Sequence, residues 1–122
     1  MCIASDYMMP VLPARRMAMN NLNILLVDDE PDFLENLAER LRLRGFTIQT
    51  AHNGADALEI LRGQPFQGAV LDVMMPGMDG LETLREIKKI DDTIEVILLT
   101  GHARTDAALE GVRSGAFDYL IK

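Results

Sequence analysis

The sequence predicts an α/β domain: a parallel sheet of five strands with helices on both faces. Three observations point to it. Short runs apolar on both faces, such as Ile24–Val27 and Val96–Leu99, alternate with segments whose apolar residues recur at helical spacing. The alternation is regular from Asn23 to Lys122: strand then helix, four times over, then a last strand, which calls for right-handed crossovers. The chain has 122 residues, 48% of them apolar and 25% charged, enough for one core and too few for two domains.

The elements follow in order. Ile24 to Val27 reads as a buried strand. Pro31 suits the first turn of a helix, Leu34, Leu37, Ala38 and Leu41 form its apolar stripe, and Gly45 ends it. Thr47 to Thr50 alternates like an edge strand. Asn53 caps a helix carrying Ala57, Leu58 and Leu61, stopped by Gly63 and Pro65. Ala69 to Leu71 is the next buried strand, and after a turn-rich loop Leu81, Leu84, Ile87 and Lys88 mark the third helix. Val96 to Leu99 is the fourth strand, Thr105 to Ser114 a helix closed by Gly115, and Phe117 to Ile121 the fifth strand.

Charge narrows the function. Nineteen acidic residues against twelve basic ones leave a formal net charge of -7. So acidic a surface repels phosphate backbones and anionic lipid, which argues against direct nucleic-acid or membrane binding. A single cysteine, Cys2, can form neither an internal disulfide nor a cysteine metal site, and suits a reducing, cytoplasmic compartment. No apolar run approaches the length of a membrane span. Residues 1–21 lack the basic start and long apolar stretch of a signal peptide, and read as a loose N-terminal extension before a domain at 22–122.

The polar residues at the strand ends carry the chemistry. The first strand runs into Asp28 and Asp29, the third ends at Asp72, the fourth at Thr100 and the fifth at Lys122. Ligands of open parallel sheets bind beyond the carboxyl ends of the strands. Four strands thus bring three acids, one hydroxyl and one amine to a single edge.

Four stretches, Leu25-Leu26-Val27-Asp28-Asp29-Glu30, Leu71-Asp72-Val73-Met74-Met75-Pro76-Gly77-Met78-Asp79-Gly80, Leu99-Thr100-Gly101-His102-Ala103 and Asp118-Tyr119-Leu120-Ile121-Lys122, together resemble the receiver domain of bacterial two-component response regulators. The resemblance covers residues 22–122 in order and spacing. It implies a flavodoxin-like (CheY-like), doubly wound sheet in the order 2-1-3-4-5. It also implies a phosphoacceptor switch in a phosphorelay, which catalyses its own phosphorylation and dephosphorylation rather than acting on a separate substrate. Asp72 would take a phosphoryl group from a phosphohistidine of a sensor histidine kinase or phosphotransfer protein. Mg²⁺ would be held by Asp29, Asp72, the backbone carbonyl of Met74, and Asp28 directly or through water. Lys122 and Thr100 would bind phosphoryl oxygens, and Tyr119 would turn inward as Thr100 moves.

Each residue has a plainer role to set beside this one. Asp28, Asp29 and Glu30 precede a helix, where acids favour the dipole, and Thr100 could cap the next one. Asp72 could open a turn, Lys122 could be a solvated end, and Tyr119 an ordinary edge-strand residue. His102 is better read as a solvated loop residue than as a base, and Met74, Met75 and Met78 as loop packing rather than a soft-metal site.

Two departures stand out. Receivers follow the lysine with a proline and a fifth helix; this chain ends at Lys122, so the fifth helix is expected to be missing and one apolar sheet face left open, with a homodimer as one way to cover it. The N-terminal extension also matches nothing in the family. Of the competing readings, a phosphohydrolase of the haloacid-dehalogenase type needs a second Asp where Met74 stands, and a non-phosphorylated interaction module or truncated inactive receiver rests solely on the missing helix, since all of the key side chains are present.

Overall fold

The alternation of short apolar runs and amphipathic segments folds into one parallel sheet in the computed structural model, which describes residues 22–101 and 106–122. The expectations for residues 1–21, for His102 and for Thr105 lie outside the described residues. The elements are β1 (Asn23–Val27), α1 (Pro31–Leu43), β2 (Thr47–Ala51), α2 (Gly54–Gly63), β3 (Gly68–Asp72), α3 (Gly80–Ile90), β4 (Glu95–Thr100), α4 (Asp106–Arg113) and β5 (Asp118–Ile121). The strand order is β2-β1-β3-β4-β5, parallel throughout, as the sequence predicts.

Strand alternation sorts side chains to the two faces. Leu25, Val27, Ala69, Leu71, Val96 and Leu98 enter the larger core, against Ala57, Leu58 and Leu61 of α2 and Leu84 and Ile87 of α3. Leu26 and Ile48 turn the other way, onto Leu34 and Ala38 of α1. Farther along that second face, Ile24, Val70 and Ile97 line an apolar groove of about 320 Å³, flanked by Leu22 and Phe117. The expectation of self-association concerns this face.

Local chemistry fixes the helix ends. Pro31 opens α1, and Gly45, at φ 99°, ends it: Gly45 N–H donates to the Arg42 carbonyl and Phe46 N–H to the Leu41 carbonyl. Asn53 caps α2 by accepting from Asp56 N–H at 2.8 Å, and Asp79 caps α3 by accepting from Glu82 N–H at 2.9 Å.

Register positions the site. Val27 pairs with Leu71, Asp72 with Leu99, and Thr100 with Ile121. Backbone bonds carry the ladder one step further: Asp28 N–H donates to Ala51 at 3.2 Å, Val73 N–H to Leu99 at 2.8 Å and Lys122 N–H to Thr100 at 2.7 Å. The residues just past β1, β3 and β5 therefore remain hydrogen-bonded into the sheet edge.

Candidate functional site

Asp72 sits at the last position of β3 and is only 4% exposed. Its Oδ1 accepts from Met74 N–H at 3.3 Å, and its Oδ2 lies 3.3 Å from Lys122 Nζ. Burial first, and then the neighbouring Asp28 charge, push the Asp72 carboxyl above its ordinary value; Lys122 and the Met74 amide offset part of this.

Asp28 is buried just beyond β1. Its Oδ1 accepts from Glu30 N–H at 2.9 Å. Its Oδ2 is buried and receives no hydrogen bond from the described residues, although Lys122 Nζ approaches to 3.0 Å. Asp29 is exposed, and oxygens of Asp28, Asp29 and Asp72 all lie within 4.8 Å of one another. Three carboxylates at that range repel unless a cation stands among them. An unbonded buried oxygen together with two more hard oxygen donors fits Mg²⁺, which prefers oxygen ligands and keeps several waters.

Lys122 supplies positive charge from the end of β5. Its ammonium contacts Asp28, Asp72 and also Glu30, and lies 4.8 Å from the centre of the Phe33 ring. Burial pulls its pKa down, but the contacts with Glu30 and Asp28 and the Asp72 charge outweigh this, leaving the ammonium more basic than an ordinary lysine.

Thr100, Gly101, Ala107 and Met74 complete a cleft of about 510 Å³ over Asp72 and Lys122. Thr100 is buried at the end of β4, whereas Met74 is 74% exposed at the mouth. Tyr119 is half-buried on β5, opposite Leu98, against the larger core rather than in the cleft. The fold thus gathers Asp28, Asp29, Asp72, Thr100 and Lys122 at one edge and leaves Tyr119 a layer below. Sequence reasoning missed Glu30 and Phe33 as partners of Lys122. Glu30 reads as a helix-start acid, yet its side chain makes no capping bond. Phe33 carries no local signal, since its meeting with Lys122 depends on the tertiary fold.

Comparison with known proteins gives one consistent family. A family model described as response regulator receiver domain matches residues 24–122. The transcriptional regulatory protein ZraR of Klebsiella oxytoca is 41% identical over 106 residues, 87% of this chain and 24% of that protein, so the chain spans about a quarter of its relative. A receiver domain protein from Clostridium thermocellum superposes with a TM-score of 0.78 at 37% identity, covering 83% of this chain and 82% of that one. A response regulator from Burkholderia pseudomallei, solved with a phosphorylated aspartic acid and a calcium ion, gives 0.78 at 29% identity, over 84% of this chain and 60% of the other.

Proposed function

This chain belongs to the family of response regulator receiver domains, which are signalling domains, and from that premise we propose that Asp72 accepts a phosphoryl group from a phosphohistidine of a partner kinase or phosphotransfer protein. The observation that carries the proposal is the pairing of a buried carboxylate at a strand end with Lys122 Nζ 3.3 Å away, inside a cleft open to solvent.

A carboxylate oxygen of Asp72 attacks phosphorus, and the phosphorus–nitrogen bond of the donor breaks with its electron pair left on the imidazole. Asp28, Asp29, Asp72 and the Met74 carbonyl would hold Mg²⁺, which neutralises charge on the transferred group. Lys122 donates to one phosphoryl oxygen and Thr100 to another, so positioning and charge neutralisation supply most of the acceleration. Attack of water at the same phosphorus breaks its bond to the Asp72 oxygen, releasing inorganic phosphate and returning the free carboxylate, so that the domain acts as its own phosphatase. Movement of Thr100 toward the phosphoryl group draws Tyr119 inward and alters the outer face of α4 and β5, the output of the switch.

The single cysteine and acidic surface suit action in the cytoplasm, and no helix among the described residues is long and apolar enough to cross a membrane. A second class of function, a phosphohydrolase using an aspartyl phosphate, lacks the acid needed at Met74.

Incubation with acetyl phosphate and Mg²⁺, borohydride trapping and mass spectrometry tests the proposal. Modification at Asp72 alone, lost in Asp72→Asn, is expected. Modification at Asp28 or Asp79, or none at all, would refute it.

A further inference from the structure

The Lys122 ammonium has three N–H bonds, and three carboxylates already surround it: Asp28, Asp72 and Glu30. The Phe33 ring lies on it at 4.8 Å. Two of its N–H bonds go to Glu30 and Asp72, and Asp28 Oδ2 pairs with it by charge at 3.0 Å, so a phosphoryl oxygen that draws the ammonium to itself competes with these carboxylates for it. Asp28 and Asp72 belong to the candidate cation-binding set, and their side chains are almost wholly buried. Glu30 lies outside that set, with a side chain 63% exposed, so water replaces its lost partner at little cost. Its backbone N–H is meanwhile held by Asp28 at 2.9 Å, which keeps it at the rim of the cleft.

We propose that Glu30 is a positioning residue: its carboxylate holds Lys122 in a resting pose and competes with the incoming phosphoryl group for that ammonium. This rests on Asp72 being the phosphoacceptor. Glu30 thereby sets how tightly the site takes a phosphoryl group. The Glu30 contact is broken when the group is bound and re-formed when it leaves.

Beryllium fluoride with Mg²⁺, a tetrahedral stand-in for a phosphoryl group, supplies the test, its bound form followed by fluorine NMR. Glu30→Gln should bind it roughly two- to five-fold more tightly than the wild type, the scale of an exposed ion pair. Within a Lys122→Ala background the same change should have no effect, because Glu30 acts through Lys122. Lys122→Gln serves as the background if Lys122→Ala does not fold. Unchanged or weaker binding in Glu30→Gln overturns the inference, as does an equal gain in both backgrounds. Binding by the wild type that is lost in Asp72→Asn, together with no response to Glu30→Gln, sinks this inference while leaving the phosphoacceptor reading intact. No binding by the wild type overturns both.

Discussion

A β-carbon on Gly80 would lie 2.4 Å from the carbonyl oxygen of Asp72 and 2.8 Å from the α-carbon of Val73. The first residue of α3 therefore rests directly on the backbone that carries the candidate phosphoacceptor. Gly80 N–H also donates to the Val73 carbonyl at 3.0 Å, which locks the two together.

Gly80→Ala should displace that backbone. Overpacking of this kind costs roughly 1–3 kcal/mol. The variant should melt lower and take label from acetyl phosphate more slowly, even at temperatures where it remains folded. Labelling at the wild-type rate would show that Asp72 does not depend on this contact.

Asp72→Asn should stabilise the protein at neutral pH. A carboxyl whose folded-state pKa is raised holds its proton more tightly when folded, so its contribution to stability falls as pH rises above the ordinary value of 3.8. The amide removes the charge and with it the penalty, a gain on the order of 1 kcal/mol. The gain should shrink toward zero in acid, where the wild-type carboxyl is protonated in both states. Urea titrations at several pH values check this; a gain independent of pH would point to a packing effect.

Mg²⁺ should raise the melting temperature of the wild type and leave Asp29→Ala unmoved. A ligand bound only to the folded state, at a hundredfold excess over its Kd, contributes about 2.7 kcal/mol. Because Asp29 is exposed, its removal alone should change the metal-free melt little. An undiminished Mg²⁺ shift in the variant would remove Asp29 from the ligand set.

Lys122→Ala should make the fold lean on the cation. Removing the ammonium leaves Asp28 and Asp72 buried and facing each other, at a cost of roughly 1–3 kcal/mol. Mg²⁺ should then raise the melt by more than it does in the wild type. The wild type should also lose stability as pH climbs above the ordinary lysine value of 10.5, because the folded ammonium is the more basic and its contribution is complete only below that value. Lys122→Ala should lack that alkaline limb.

The central strands are legible in the sequence because β1, β3 and β4 carry apolar side chains on both faces and read as unbroken apolar runs, one face entering the larger core and the other presenting Leu26, Val70 and Ile97. Asn53 is legible as a cap because its side chain performs that role within three residues of chain. The strand-end acids, Thr100 and Lys122 are legible because a parallel sheet brings every strand's carboxyl end to one edge. Contacts set by tertiary geometry are not: Glu30 and Lys122 meet across 92 positions. The bounds of β5 also shift by one residue, since Phe117 is apolar enough to read as strand yet stands 67% exposed before it.

The placement of Lys122 has a consequence for local unfolding. β5 is four residues long and, among the described residues, pairs with β4 alone, so its opening should require less free energy than that of β1, β3 or β4. Each opening withdraws the ammonium from all three carboxylates together. By linkage, any anion that engages Lys122 must oppose that opening. Amide hydrogen exchange should therefore slow in Tyr119 to Lys122 when the site fills, and the edge strand becomes a gauge of occupancy that needs no label on Asp72.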